Sequence, residues 1–166
     1  PAFRRPMEND PPALVTASQT LTRSQLASAT GKAANLIQNL GLSRGDLILF
    51  ALRRRPELVI GVLGALRFGA VPRIASPGDF SGLGNARMAV IEPEEKPAID
   101  AIREDHPDLW HVVLVVRSAA PFTMGAGDFL WDDYYAPAPE RFDARGAVPP
   151  IPDLVAPWFA GEPVRL

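Results

Sequence analysis

Three consecutive arginines, Arg53, Arg54 and Arg55, form a dense positive charge run. They follow the apolar run LILFAL at residues 47–52, which is typical of a strand covered on both faces in a parallel sheet. Ligands of open α/β sheets bind beyond the carboxyl ends of such strands, so the arginines are candidates to contact an anionic ligand or a carboxylate-bearing partner. The alternative, which we favour, is a solvated charge cluster in front of a helix, because charge runs in loops are usually surface.

Two glycine-containing stretches do not match nucleotide-binding loops. GLGNAR, at residues 82–87, carries Arg87 where the dinucleotide fingerprint has its third glycine, and it leads into a strand instead of a helix. GAGDFL, at residues 125–130, is not followed by a clear helix. Both stretches are therefore predicted to be loops.

The remaining polar side chains do not form a catalytic or metal-binding set. Pro107 separates His106 from His111, so the two imidazoles do not share a helix face. Asp132 and Asp133 are neighbours in a stretch interpreted as extended, where adjacent side chains point to opposite faces. No serine lies in a G-x-S-x-G elbow, and the chain has no cysteine. We assign no catalytic, cofactor-binding or metal-binding residue.

Composition points to a single domain without nucleic-acid or membrane partners. The chain has 166 residues, 22% of them charged, and a net charge of -2. Basic and acidic residues are mixed along it, whereas a nucleic-acid partner would require a basic stripe. No apolar run is long enough to span a bilayer, and the stretch PAFRRPMENDPP lacks the apolar core of a signal peptide. We expect a cytoplasmic protein.

Local patterns predict strands and helices in alternation. Thr22 and Gln25 have the spacing of a capping box, which predicts a helix from there to about Leu40. A second helix, over residues 56–68, is apolar nearly all round and should be the most buried. A third helix is predicted over residues 94–105, where Glu92, Glu94 and Glu95, around Pro93, suit its positive end. Strands are predicted at residues 12–17, 47–52, 70–75, 88–93 and 111–116.

This alternation indicates an α/β fold with a mainly parallel sheet of four or five strands flanked by helices. Prolines crowd the two ends of the chain and resist regular structure. The α/β domain is therefore predicted at residues 12–135, between an arm at 1–11 and an irregular Pro-rich tail at 136–166. Trp158 and Phe159 are apolar anchors in that tail, which should dock on its own domain or on a second copy of the chain.

The order of the motifs resembles the N-terminal region of AMP-forming acyl- and aryl-CoA synthetases, members of the adenylate-forming superfamily. The matching motifs are L-T-x-x-x-L at residues 21–26, L-G-L-x-x-G-D at 40–46, P-E at 56–57 and G-A-V at 69–71. Pro72 resembles the benzoate and medium-chain branch. The resemblance implies the fold of the first lobe and, for the complete enzyme, activation of a carboxylic acid through an acyl-adenylate with ATP, Mg²⁺ and CoA.

The sequence departs from the family pattern in two places. RIASPGDFSGLGNAR, at residues 73–87, replaces the family's usual threonine–proline helix. After residue 144 the family pattern expects a Ser/Thr/Gly-rich phosphate loop ending in Pro-Lys-Gly, where this chain has RGAVPPIPDLVAPWFAGEPVRL. The resemblance is thus to a first lobe without the phosphate loop and the motifs that follow it.

Two interpretations follow from this departure. In the first, the chain is one portion of a ligase that binds no cofactor alone and is inactive until it meets the remainder of the enzyme. In the second, it is a non-catalytic remnant domain that serves as a docking module, beside a carrier protein or within a polyketide or non-ribosomal peptide synthase. The acyl substrate is left open, because the family's pocket residues lie beyond this chain.

Overall fold

The computed structural model describes residues 10–143 and 161–166. Its strands are β1 (Pro12–Val15), β2 (Thr20–Thr22), β3 (Leu47–Ala51), β4 (Val71–Ile74), β5 (Met88–Ile91), β6 (His111–Leu114), β7 (Asp128–Leu130) and β8 (Val164–Arg165). Its α-helices are α1 (Arg23–Asn39), α2 (Pro56–Phe68), α3 (Lys96–Ile102) and α4 (Trp131–Tyr135). Short 3-10 turns precede and follow α3, so the predicted third helix is shorter and less regular than the sequence indicated.

Five strands form one parallel sheet in the order β4-β3-β5-β6-β7. Because β3 and β6 each have a neighbour on both sides, the apolar runs LILFAL and HVVLVV contribute interior strands, as predicted. The two faces of the sheet are both covered. Ile48 and Phe50 lie in the core shared with α1 and α2, whereas Leu49 lies in a second core with Ile99 of α3. The predicted α/β class is confirmed.

Local sequence signals fix the ends of the two long helices. Thr22 caps α1, and the Gln25 side chain accepts from the Thr22 backbone at 2.9 Å, which completes the predicted capping box. Pro56 opens α2, and Gly69 ends it with a φ of 95° in the left-handed region. The sequence prediction for α2 is therefore correct at both ends.

The α2 helix is the most buried helix of the described chain, with ten of its thirteen residues inside the protein. Two glycines let it approach its neighbours closely. A Cβ at Gly64 would lie 2.5 Å from the Cβ of Ala33 in α1, and a Cβ at Gly61 would lie 2.5 Å from the Phe50 ring. Glycine at these positions thus sets the distance between α2, α1 and the sheet.

Two predictions on residues 125–133 are wrong. Asp128–Leu130, predicted as loop, is the fifth parallel strand β7. Asp132 and Asp133 lie in α4 and not in an extended segment. The three-residue strand carries no periodic signal of its own, and it is held by pairing with β6 and by the bonds that Asp128 makes.

The second, smaller sheet has the order β2-β1-β8. Strand β8 lies within the segment predicted as an irregular tail and pairs with β1 in parallel. At the other end of that segment, Asn35 of α1 donates hydrogen bonds to the carbonyl oxygens of Pro139 and Arg141 at 2.8 and 2.9 Å. The boundary at residue 135 stays a prediction, and Trp158 and Phe159 lie outside the described residues.

Candidate functional site

The carboxyl ends of β3, β5 and β6 meet at one edge of the parallel sheet, which is where ligands of open α/β sheets bind. Charged residues follow each of these strands, and the first turns of α2 and α4 add two carboxylates. We call this set the carboxyl-edge cluster. It consists of Arg53, Arg54, Arg55, Glu57, Glu92, Glu94, Arg117, Ser118 and Asp132.

A buried glutamate binds the arginine run from within the protein. The Glu92 side chain is only 3% exposed, and its Oε1 accepts from Arg55 Nε at 2.6 Å. Its Oε2 accepts from the backbone N–H of Arg53 at 3.0 Å and lies 3.7 Å from Arg53 Nε. A buried carboxylate is stable only when it is paired and hydrogen-bonded. Glu92 therefore connects the loop after β3 to the end of β5. This role goes beyond the helix-end stabilisation predicted for it.

The arginines of the run differ in their surroundings. Arg53 and Arg54 are exposed, with 58% of the Arg53 side chain accessible, and this agrees with the solvated alternative for those two. Arg55 is only 25% exposed and is bonded to Glu92. A contact of Arg53, Arg54 or Arg55 with an anionic ligand or a partner stays a prediction.

Arg117, just after β6, joins three elements at the same edge. Its Nη1 and Nη2 donate to the two carboxylate oxygens of Asp132 in α4 at 2.8 and 2.9 Å. Its Nε donates to Glu57, in the first turn of α2, at 2.9 Å. The hydrogen bonds that Arg117 donates to Asp132 are the main cause that raises the pKa of Arg117, ahead of the charge of Glu57. This planar fork is the geometry that arginine offers to carboxylates.

Ser118, the residue after Arg117, binds another carboxylate of the cluster. Its hydroxyl donates to Glu94 Oε1 at 2.7 Å, and this bond is the largest cause that lowers the pKa of Glu94. The charges of Arg53 and Arg55 lower the same pKa further. The bonds of the carboxyl-edge cluster thus form three neighbouring groups, centred on Glu92, Arg117 and Glu94, and the charges of the first group act on the pKa of Glu94.

Most positive groups of the carboxyl-edge cluster are paired with carboxylates. Of its four arginines, Arg53, Arg55 and Arg117 each lie within 4.0 Å of a carboxylate of the cluster. Binding of phosphates requires positive groups aimed at the ligand, whereas these guanidinium groups are aimed at carboxylates of the same chain. In the described part of the chain, no group of three or more histidine, aspartate or glutamate side chains is placed to hold a metal ion.

A second charged cluster lies where α3 and the turn after it meet the start of β7, beside a shallow groove of about 420 Å³. Asp128, whose side chain is fully buried, accepts from Arg103 at 2.6 Å and from the backbone of Gly125 at 2.6 Å. Lys96 is 2.9 Å from Asp128 and also pairs with Asp100. The sequence offered only the i, i+4 spacing of Lys96 and Asp100 as a signal, so this cluster was missed.

Burial and hydrogen bonding have opposite effects on the pKa values of Asp128 and Lys96. Burial alone would raise the pKa of Asp128, but the hydrogen bonds from Arg103 and Lys96 outweigh it and leave the pKa lowered. Burial alone would lower the pKa of Lys96, but its bonds to Asp100 and Asp128 leave it raised. Both side chains therefore stay charged inside the protein and tie the loop before β7 to α3.

The two histidines occupy separate places, as the sequence indicated. His106 follows the turn after α3, with its Nδ1 3.3 Å from the Gly84 carbonyl oxygen. His111 begins β6 and donates from Nε2 to the carbonyl oxygen of Leu40 at 2.7 Å. That bond satisfies a carbonyl at the end of α1, so His111 has a structural role here.

Comparison with known proteins identifies the family. The family model described as AMP-binding enzyme matches residues 4–106, more than half of the chain. The chain belongs to the AMP-binding enzyme family. The resemblance drawn from the sequence motifs is thereby confirmed, and so is the parallel sheet that it implied.

Relatives within the AMP-binding family include several CoA ligases. The chain is 29% identical over 157 residues to 3-hydroxybenzoate–CoA ligase of Aromatoleum sp. (strain CIB), an alignment that covers 90% of the chain and 28% of that ligase. It is 30% identical over 131 residues to acetyl-coenzyme A synthetase of Rubrobacter xylanophilus, covering 69% of the chain and 20% of the synthetase. The chain therefore spans about a quarter of the length of such relatives.

Solved structures show the same fold. The anthranilate CoA ligase AuaEII, in complex with anthranoyl-AMP, matches with a TM-score of 0.68 at 22% identity over 81% of this chain and 26% of that one. Apo MbtA of Mycobacterium smegmatis matches with a TM-score of 0.64 at 27% identity over 86% of this chain and 26% of that one. The described architecture is therefore that of the N-terminal part of an adenylate-forming enzyme.

Proposed function

We propose that this chain is the N-terminal portion of an AMP-forming ligase for acyl or aryl acids. In the complete enzyme, ATP and Mg²⁺ would activate a carboxylic acid as an acyl-adenylate, and CoA would accept the acyl group. The observation that carries this proposal is the family match over residues 4–106. The named relatives act on 3-hydroxybenzoate, anthranilate and acetate, so both aromatic and short aliphatic acids belong in a substrate survey.

We further propose that the 166-residue chain does not activate acids alone. The support is the carboxyl-edge cluster, in which Arg53, Arg55 and Arg117 are paired with carboxylates of their own chain. A triphosphate would have to break the bonds of Arg55 to Glu92 and of Arg117 to Asp132 before it gained any new ones. The remainder of the ligase is the partner that would supply ATP-binding groups, and a cytoplasmic location suits that reaction.

Calorimetric titration with Mg·ATP tests the binding step. We expect only the heat of dilution from this chain, whereas an intact relative such as the Aromatoleum 3-hydroxybenzoate–CoA ligase should give a saturable curve. Substrate affinities of enzymes usually fall between about 1 μM and 1 mM, so that range should be covered. Saturable binding by the chain in that range would contradict the proposal.

The second candidate is a docking module without chemistry of its own. A synthase context for it is supported by a 41% identity over 58 residues, 35% of this chain, to the PKS-NRPS hybrid synthetase ATPKS of Aspergillus niger. The coding sequence on either side of the chain separates the two candidates. A downstream Ser/Thr/Gly-rich loop ending in Pro-Lys-Gly would favour the ligase, whereas carrier or synthase modules without that loop would favour docking.

A further inference from the structure

The outer edge of β1 holds an extended segment from a distant part of the sequence. On one side β1 pairs with β2, and on the other it pairs in parallel with β8. Leu14 lies opposite Val164, Val15 lies opposite Arg165, and the backbone N–H of Leu166 donates to the Val15 carbonyl oxygen at 3.0 Å.

The side chains of this segment alternate between core and solvent. Val164 and Leu166 pack against the core that contains Leu14, which is only 1% exposed. Arg165, between them, is exposed. This is the pattern of β-strand addition, in which main-chain hydrogen bonds provide affinity and pockets for alternate side chains provide specificity. The edge of β1 is thus shaped for an apolar–x–apolar segment.

The attachment is small in comparison with the rest of the fold. Strand β8 has two residues, and Val164 and Leu166 are only partly buried. Short elements with few buried apolar contacts open locally before the core of a domain unfolds. A segment that docks through its backbone on an edge strand can also be exchanged for an identical segment of another molecule.

We propose that the outer edge of β1 is a strand-acceptor site that binds residues 164–166 of a second copy in exchange for its own. The sequence V-R-L is the one shown to fit this edge, and every copy carries it at the same concentration as the site. Residues 144–160 join the segment to the domain and could reach at most about 60 Å, so the covalent connection permits the exchange. The interaction is independent of the proposed ligase activity.

Paired cysteines provide a direct test, because the chain has no cysteine of its own. The single variants Val15→Cys and Arg165→Cys are mixed at high concentration under mild oxidation, with an affinity tag on one of them. Cα atoms on neighbouring strands are about 4.8 Å apart, within the range that a disulfide spans. Gel electrophoresis without reductant then reports the tagged heterodimer. The double variant Val15→Cys/Arg165→Cys reports pairing within one chain.

Two controls separate exchange from random collision. Ser18→Cys lies in the exposed turn between β1 and β2, and its yield with Arg165→Cys measures chance encounters. Val164→Asp, added to Arg165→Cys, removes the apolar side chain that enters the site. We expect heterodimer from Val15→Cys and Arg165→Cys at about 10-fold or more above the Ser18 control, because docking raises the local thiol concentration. Val164→Asp should reduce the yield to the control level.

Two results would overturn the proposal. If the double variant closes its disulfide within one chain but the mixed single variants give no more heterodimer than the Ser18 control, the site is permanently filled by its own segment. If neither disulfide forms, residues 164–166 do not occupy the edge of β1 in solution. A heterodimer yield unchanged by Val164→Asp would likewise contradict docking through the apolar side chains.

Discussion

Glu92 accepts a hydrogen bond from Arg55 at 2.6 Å while only 3% of the Glu92 side chain is exposed. This relationship connects two neighbouring interior strands at their carboxyl ends, since Glu92 follows β5 and Arg55 follows β3. It also shows that the three arginines are not equivalent, because Arg55 is the structural partner of a buried carboxylate. One of the three arginines considered as contacts for an anion thus already binds a carboxylate of its own chain.

Replacing Glu92 by glutamine tests this structural role. Glu92→Gln keeps the size of the side chain but leaves Arg55 with a neutral partner, so the free energy of unfolding should fall by about 1–3 kcal/mol. Urea unfolding monitored by circular dichroism measures the change. Glu104→Gln, at an exposed position, is the matched control and should stay within about 0.5 kcal/mol of the parent. Equal stabilities of the two variants would show that the buried pair is dispensable.

Gly64→Ala tests the close approach of α2 to α1. In an exposed helix interior this substitution stabilises by about 1 kcal/mol, because glycine is a poor helix former. At Gly64 the new Cβ would lie 2.5 Å from the Ala33 Cβ and 3.1 Å from the Ala34 backbone nitrogen, so the helices must separate. We expect a net loss of about 1–3 kcal/mol in thermal or urea unfolding. A gain in stability would mean that the two helices are less tightly packed than described.

The sequence predicted the ends of the two long helices, which interactions between neighbouring residues determine. Thr22 and Gln25 fix the start of α1 through neighbouring atoms, and Pro56 and Gly69 fix the ends of α2 through their own backbone preferences. Strand β7 could not be predicted in this way. Its three residues have no period of their own, and pairing with β6, more than ten residues earlier, makes them a strand.

The charged clusters were beyond sequence analysis for a related reason. Glu92 was attributed to a helix start because Pro93 follows it, whereas its partners Arg53 and Arg55 lie 37 and more positions away. Arg117 and Asp132 are likewise brought together only when β6 and α4 are in place. Charge pairing across elements depends on the folded topology, so a run of charge in the sequence does not show which charges are free.

The buried pair of Asp128 and Lys96 predicts a specific dependence of stability on pH. The pKa of Asp128 is lowered from its ordinary 3.8, so its contribution is complete above that value and is lost as the pH falls through the folded-state pKa. The pKa of Lys96 is raised from 10.5, so its contribution is complete below that value and is lost as the pH rises through the folded-state pKa.

Asp128→Asn should therefore destabilise the protein throughout the range from about pH 4 to pH 10, by about 3 kcal/mol, because it leaves two cations without their buried partner. Below pH 4 the free energy of unfolding of the variant should fall less steeply with pH than that of the parent protein, because the variant has no carboxylate at residue 128 to protonate. Urea unfolding at a series of pH values measures both effects. Asp133→Asn, an exposed neighbour, serves as control, and a parallel loss in both variants at every pH would rule out the proposed role of the buried carboxylate.

Arg117→Ala should loosen α4 while the parallel sheet stays intact. The arginine holds Asp132 by two hydrogen bonds, and α4 is only five residues long, so it has little stability of its own. Hydrogen exchange should become faster at the amides of residues 131–136, with protection in β3 and β5 unchanged. Arg54→Ala provides the control at an exposed arginine. Unchanged exchange in α4 would indicate that packing of Trp131 alone holds the helix.

The chain has the fold of an adenylate-forming ligase, and we propose that it does not activate acids by itself. Exchange of labelled pyrophosphate into ATP reports acyl-adenylate formation directly and can be followed with benzoate, 3-hydroxybenzoate, anthranilate and acetate. We expect no exchange by the 166-residue chain above that of a sample without protein. The intact Aromatoleum 3-hydroxybenzoate–CoA ligase should exchange readily with its own acid. The proposal would be contradicted if the purified 166-residue chain gave exchange that disappears when the acid is omitted.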